Sequence, residues 1–349
     1  MNKYIKNSLI IIGSIIGLII ILIMILNSIE DRKPLPSVPK KEVFEAENIS
    51  SYPSMLTARQ NDIINANGEK ITLKGIMAPD PQKIDFDNNF NKDFYQKIFS
   101  VGGNVIRVPV HPQRYIKDEY YLWRYLDSVV AWAGENEQYV IIDLHFIGNP
   151  INGNGNEMAH VGENTKDFML KFWKQTAAYF KDTPNVIFEI YNEPAFITAA
   201  DWVGCANELV ETIRQTGAKQ LILVGGIDYS YDLSWVKKTP ISDDNVAYTA
   251  HVFPSKKDWD NNFGIISDSY PVVVTEWGYI DKNSSTTKQP YLLGSQESFG
   301  NPLIKYMEEH DIGWVACWYD DGWEPQMFTN NFKDSTIWGK FVFEQFKKH

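Results

Sequence analysis

At 349 residues the chain is long enough to bury one large core, either a single barrel-sized domain or two smaller ones. Its formal charge of −11 argues against a nucleic-acid partner, and Cys205 and Cys317 alone can build neither a disulfide scaffold nor, at that spacing, a metal site. An aromatic share of 14%, with 11 Trp and 18 Tyr, suits a carbohydrate surface but fills cores equally well, so it decides nothing by itself.

In chain order, the first element is apolar. No charge occurs from Ser8 to Ile29, a stretch dominated by Ile and Leu and close to the roughly 20 residues that cross a bilayer. Lys3 and Lys6 precede it, as in a signal peptide, yet the run exceeds the usual apolar core of about 7–15 residues. No small-residue cleavage site closes it, so residues 1–29 are expected to form a short stub and an uncleaved membrane anchor, with a cleaved signal as the alternative. Arg32 and Lys33 beyond the span leave its orientation open on the positive-inside rule. Residues 30–54 are polar and carry Pro34, Pro36 and Pro39, which reads as a linker.

From residue 55 the pattern changes. QNDIINANGEKITLKGI (60–76) alternates and contains Asn67-Gly68, a strong hairpin signal. Eight short runs rich in β-branched residues follow, over 71–76, 104–110, 139–146, 185–192, 221–226, 245–253, 271–278 and 313–320. Most are continuously apolar, as strands covered on both faces should be. Stretches with apolar residues at helical spacing separate them, over 120–136, 165–180 and 200–215. The expected fold is therefore an α/β (β/α)₈ TIM barrel preceded by an N-terminal transmembrane helix. A doubly wound open sheet is the alternative, but no Gly-rich phosphate turn follows the first strand.

On a barrel, Arg107, His145, Asn192, Glu193, His251, Glu276 and Trp318 all fall at the C-terminal ends of strands, the rim on which barrel active sites are built. Alone, a strand-end Arg is most often a structural ion pair and a single His a satisfied loop residue. Seven such residues from six strands point to chemistry. Two carboxylates across a Trp-rich cleft suit glycosidic cleavage, in which one is a protonated acid and the other an anion that attacks the anomeric carbon. Arg107 and His251 favour Glu276 as the anion, which leaves Glu193 as the acid. Asn192 beside it can bond a sugar 2-hydroxyl, a contact that strengthens in the transition state. Trp202, Trp235, Trp259 and Trp323 fall in or near loops after strands and are, with Trp318, candidate stacking platforms along the cleft, about half of them expected to face solvent.

IYNEP (190–194) and VVVTEWG (272–278), with Arg107 in IRVPV, His145 in IIDLH, ETIRQTG before LILVGG, His251 and Trp318 in order, resemble glycoside hydrolase family 5, a retaining (β/α)₈ family. The resemblance runs from about Asn61 to Phe346. It implies that residues 55–349 are the catalytic domain, with Glu193 as acid/base and Glu276 as nucleophile. It implies further that Asn192 holds the 2-hydroxyl, that Arg107 supports the nucleophile, and that His145, His251 and Trp318 line the subsite before the cleaved bond. One position departs. The family has His-x-Tyr after strand six, its phenol bonding the nucleophile, where this chain has His251-Val252-Phe253. Either Tyr231 or Tyr248 supplies that hydroxyl, or Glu276 is held less firmly.

The reading is a hydrolase of the cellulase type, an endo-β-1,4-glucanase, monomeric and without metal or organic cofactor. His111 and His160 lack ligand spacing and read as loop residues. The resemblance also covers membrane-tethered accessory glucanases that work beside bacterial cellulose synthase complexes, which places the catalytic domain on the extracellular side of the plasma membrane, or in the medium if the leader is cleaved. β-Mannan and xyloglucan remain open as substrates. A barrel that only binds glycan is disfavoured by the two glutamates, and a Schiff-base aldolase by Lys74 being the one strand lysine.

Overall fold

The computed structural model describes residues 35–155, 165–283 and 287–348. The expected membrane span over 1–29 lies outside them, and no described helix is long and apolar enough to cross a membrane. The chain divides at residue 40, and the unit from Lys40 onward carries the fold.

Eight parallel strands close on themselves: β1 Lys74–Met77, β2 Val105–Val110, β3 Tyr139–Leu144, β4 Val186–Glu189, β5 Ile222–Gly225, β6 Val246–Val252, β7 Val272–Trp277 and β8 Gly313–Ala316. They pair in sequence order, and β8 returns to β1 through Trp314↔Lys74 and Ala316↔Ile76. Every strand residue of β2 to β8 is buried, because the barrel interior covers one face and a helical layer the other. The layer includes α1 Lys92–Phe99, α2 Asp127–Gly134, α3 Thr165–Phe180, α4 Ala199–Gln215, α5 Asn301–Glu309 and α6 Ile337–Phe346. In α3, Phe168, Met169, Phe172, Trp173 and Ala177 are buried at helical spacing, which presses one stripe of the helix onto the barrel.

Inside, alternate residues fill the barrel. Val105, Ile141, Ile187, Leu223, Val273 and Val315 form a lower apolar layer, and Leu56 and Ile63 of the N-terminal hairpin close it from below. The hairpin ladder is Thr57–Arg59 against Asp62–Ile64, turning at Gln60; the Asn67-Gly68 turn follows it and is closed by a single bridge, Ile64↔Lys70. One layer higher the inward residues become polar: Arg107 beside Met77, and Asp143 beside Glu189. β4 and β8 leave the ladder three and four residues before the ends read from hydropathy, at Glu189 and Ala316. Those residues rise over the barrel top and build the site.

Within the segment expected as a linker, residues from Phe44 onward are packed on the helical layer. The Phe44 backbone N–H donates to Tyr179 O at 2.9 Å, and its ring lies 5.5 Å from that of Phe180. The Tyr52 ring covers Gly134, where an added Cβ would come within 2.1 Å of it, so α2 needs a glycine there. Two aromatic anchors thus turn a polar, proline-containing segment into a strap. Phe44→Ala is expected to lower the unfolding free energy by about 3 kcal/mol, the low end for a buried Phe, in chemical denaturation of the full-length protein. An unmoved midpoint would show the strap to be passive.

Candidate active site

Arg107 is entirely buried, at the level where the barrel interior turns polar. Its Nε donates to Glu189 Oε2 at 2.6 Å, Nη1 to Glu276 Oε2 at 3.0 Å, and Nη2 to Asn192 Oδ1 at 2.8 Å; Nη2 also lies 3.1 Å from Asp143 Oδ2. Burial by itself would lower the guanidinium's pKa, but the charges of Asp143, Glu189 and Glu276 more than reverse this and keep it a cation. Such a buried charge persists only when its donors are matched by charged acceptors. Glu189 is fixed at its other oxygen by the Thr275 hydroxyl, at 2.6 Å.

Above Glu189 the chain is taken up by the loop after β3. Asn192 N donates to Leu144 O at 3.1 Å, Glu193 N to Phe146 O at 3.0 Å, and Ala195 N to Gly148 O at 3.0 Å. That extended exit sends Asn192 to Arg107 and Glu193 across to β6. A register shift between Ala250 and His251 sets His251 opposite Glu276 on β7, which has an irregularity of its own between Val274 and Trp277. Bulges of this kind re-aim side chains beside active sites. His251 Nδ1 and Glu193 Oε1 share a hydrogen bond of 2.9 Å. One oxygen of each glutamate and one ring nitrogen of His251 lie within 4.8 Å of one another; among the described residues these three are also the set close enough to grip a metal ion. Such an approach suits the carboxyl spacing of about 5–5.5 Å found in retaining pairs.

The environments of the two acids differ. Burial raises Glu193 to about 8, against the pull of Arg107 and Lys256. Burial also raises Glu276, to about 7, with Glu193 adding to the effect and His251 and Arg107 opposing it. Arg107 bonds Glu276 and the neutral His251 bonds Glu193, which favours the anion at Glu276 and the proton at Glu193. Burial lowers His251 to about 4 and holds His145 well below the usual imidazole range, so both rings are neutral near pH 7. His145 Nδ1 lies 2.6 Å from Asp143 Oδ2, and burial raises that carboxyl to about 6 against the pull of Arg107.

Around this centre runs an aromatic arc. Trp318, joined to Cys317 by a cis peptide, is 7% exposed and meets His145 edge-on at 5.7 Å and Trp323 at 5.1 Å. His111, expected as a loop residue, belongs to the arc: its ring lies 4.6 Å from that of His145 and 5.2 Å from that of Trp323, and its Nδ1 is 3.0 Å from Asp80. His160 lies outside the described residues. Lys83 passes over the Trp323 ring to pair with Asp320 at 2.9 Å.

Three expected platforms are elsewhere. Trp202 is fully buried in α4, its indole N–H donating to Gly225 O at 2.8 Å. Trp235 is buried edge-on against Tyr248 at 5.8 Å. Trp259 packs on Tyr306 at 5.3 Å and Phe299 at 6.3 Å. The cause is visible in the topology. Between β5 and β6, and between β6 and β7, no helix exceeds four residues, so Trp235 and Trp259 supply the cover that an amphipathic helix gives elsewhere. Neither Tyr231 nor Tyr248 replaces the absent phenol: the Tyr231 hydroxyl donates to Lys257 O, and the Tyr248 hydroxyl accepts from Ile241 N at 3.0 Å. Phe253 stands in the interior cluster with Trp318, its ring edge-on to Tyr291 at 5.7 Å. Among the described side chains, the hydrogen bond that Glu276 accepts comes from Arg107.

Residues 64–321 match the profile of the cellulase family, glycosyl hydrolase family 5. The chain belongs to this family. It is 28% identical over 276 residues to an endoglucanase from Clostridium saccharobutylicum, which covers 76% of this chain and 57% of the relative. It is 27% identical over 211 residues to endoglucanase 3 of Fibrobacter succinogenes, covering 54% of this chain and 32% of that one. The chain thus spans about a third to rather more than half of these relatives' length. Among solved structures, it superposes on a β-glucanase from Saccharophagus degradans, determined with cellotetraose, with a TM-score of 0.81 and 24% identity over 89% of this chain and 98% of the other. The catalytic domain of a Thermobifida fusca endoglucanase gives 0.70 at 19% identity, over 84% and 97%. At these identities the likeness to solved structures is one of fold.

The geometry brings Arg107, Asn192, Glu193, His251, Glu276, His145 and Trp318 into one cleft, and it adds Asp143, Glu189, Thr275, His111 and Asp80. Asp143 and Glu189 had a signal in the sequence. Each is a lone charge in a continuously apolar strand, where only an inward partner makes it tolerable. The raised proton affinities of the two carboxyls set a pH dependence for this family member. On the reading that Glu276 works ionised and Glu193 protonated, kcat/KM is expected to fall below about pH 7 and above about pH 8. The two limbs belong to the coupled pair. A profile flat from pH 5 to 9 would contradict the raised proton affinities of the pair.

Proposed function

We propose that this chain is a retaining endo-β-1,4-glucanase, with Glu193 as acid/base and Glu276 as nucleophile. The observation that carries the reading is the division of labour around Arg107, which bonds Glu276 and Asn192 while Glu193 sits desolvated on a neutral histidine within 4.8 Å. In the first step Glu193 gives its proton to the glycosidic oxygen as a free oxygen of Glu276 attacks C1, forming a glycosyl ester and releasing the leaving saccharide. Arg107 holds the other oxygen of Glu276 and orients Asn192 toward the sugar 2-hydroxyl. Glu193, now ionised, takes a proton from water, which attacks C1 and frees Glu276. His251 keeps the Glu193 carboxyl in place through both halves. His145 and Trp318 line the sugar on the retained side, with Trp323 and His111 extending that arc.

β-1,4-Glucan as substrate is supported by the endoglucanase names of the relatives and by the cellotetraose complex of the structural neighbour. The charge-free run from Ser8 to Ile29 supports a tether that holds the catalytic unit on the outer face of the plasma membrane, a position suited to acting on glucan as a synthase extrudes it.

Glu193→Gln and Glu276→Gln are each expected to lower kcat on carboxymethylcellulose by about 10³-fold, within the range of a lost proton-transfer group or more, with melting unchanged. On a 2,4-dinitrophenyl β-cellobioside only the Glu193 variant should regain rate with azide, because its nucleophile is intact. Wild type should reduce the viscosity of carboxymethylcellulose and mixed-linkage glucan rapidly while leaving mannan untouched. Retained activity in either variant, or a preference for mannan, would overturn the assignment or the substrate.

A further inference from the structure

The two glutamates and His251 form a triad whose ligand chemistry the glycosidic scheme leaves unused. One oxygen of each carboxyl and one ring nitrogen lie within 4.8 Å of one another. A pair of acids alone is no metal site. Here a buried imidazole completes the set. His251 is 1% exposed, its Nδ1 faces Glu193 Oε1 at 2.9 Å, and its Nε2 has no hydrogen-bond partner among the described residues. That Nε2 stands 4.0 Å from Glu189 Oε1. A metal-bound histidine ordinarily directs its second ring nitrogen at a carboxylate, which fixes the ring and raises its basicity. Glu189 is itself held, by the Thr275 hydroxyl at Oε1 and by Arg107 Nε at Oε2, each at 2.6 Å. The support for a ligand at Nδ1 is thus built into the barrel. Charge favours a cation in the same place. Asp143, Glu189, Glu193 and Glu276 share one guanidinium, and the second cation acting on Glu193, Lys256, is paired with Asp228 at 2.6 Å. An ion also has a way in, since the Glu193 and Glu276 side chains are 12% and 10% exposed.

We propose that Glu193, Glu276 and His251 bind a divalent transition-metal ion of the zinc type, and that this ion and a glycan chain exclude one another. The donor set selects the ion. An imidazole nitrogen with two carboxylates suits zinc and its neighbours, whereas magnesium and calcium prefer oxygen alone. Zinc takes such ligands at about 2.0–2.2 Å, so the three close slightly around it, and a fourth position stays open to water. That position faces the cleft. The ion claims both the carboxyl that gives a proton and the carboxyl that attacks, so the loaded enzyme is idle and recovers when the ion leaves. The binding rests on the geometry of the triad; the inhibition rests on the glucanase reading.

The test titrates zinc chloride into the untagged full-length protein by calorimetry, with magnesium chloride as the comparison. One zinc ion per chain is expected to bind, and no magnesium at the same concentration. His251→Asn, Glu193→Gln and Glu276→Gln should each weaken zinc at least about tenfold, the smallest loss usual for groups that merely support a ligand. A second arm needs no variant. On wild type, zinc should raise the KM for 2,4-dinitrophenyl β-cellobioside in step with its concentration while kcat stays unmoved, and EDTA should restore the original KM. Zinc that fails to bind, that binds equally well in all three variants as an adventitious ion would, or that lowers kcat at fixed KM overturns the proposal. Magnesium bound as well as zinc overturns the histidine's place in the ligand set. A protein that binds zinc as described but cleaves neither the aryl cellobioside nor carboxymethylcellulose overturns the glucanase reading and leaves the metal site standing.

Discussion

A single buried guanidinium governs the top of this barrel. Arg107 faces Asp143, Glu189 and Glu276, three carboxylates for one cation, with Asn192 as a neutral fourth acceptor. The excess of negative charge in a desolvated space means that protons are retained where water would release them, and burial decides where they sit. Of Glu276 and Glu193, Glu276 accepts directly from the cation, which favours its anion, while Glu193 is bonded to a neutral histidine, which favours its proton. The proposed acid and the proposed nucleophile therefore belong to one electrostatic arrangement. Removing one partner of such a cluster strands the others, a cost of about 3–5 kcal/mol, so the same residue that tunes the site also holds the strand ends together.

The rest of the fold serves that arrangement by ending strands early. β4 stops at Glu189 and β8 at Ala316, and the freed segments are secured by backbone bonds to neighbouring loops. The apolar lower layer, closed by Leu56 and Ile63, supplies the rigid base. Aromatic residues divide by what surrounds them. Where a crossover has a long helix, as α3 or α4, the strands are already covered. Where it has none, Trp235 and Trp259 do the covering and are lost to the cleft. Phe196, with no such duty, stays open to solvent.

Much of this was legible in the sequence. The eight apolar runs gave the barrel, because a strand buried on both faces has no polar alternation to hide it. The rim residues followed from their placement at strand ends. Asp143 and Glu189 show in the sequence as isolated charges in apolar strands, beside the strand-end His145 and Glu193. Trp235 and Trp259 pack away from the arc that Trp318 and Trp323 join, because loop position says nothing about whether a helix is present to cover the core. Phe44 and Tyr52 were hidden by the prolines and charges around them, since two anchoring rings leave no periodic signal. Phe253 departs from the family's His-x-Tyr, and packing sets its ring in the interior cluster and against Tyr291, so among the described side chains it is Arg107 that donates to Glu276.

The most direct measurement of the central claim is trapping. A 2,4-dinitrophenyl 2-deoxy-2-fluoro-β-cellobioside slows both steps but leaves a good leaving group, so the proposed nucleophile should accumulate as its glycosyl ester. Peptide mass spectrometry of the inactivated enzyme is expected to place the label on Glu276, within VVVTEWG, in stoichiometric amount. A label on Glu193, or turnover without any covalent species, would contradict the assignment of the two carboxylates.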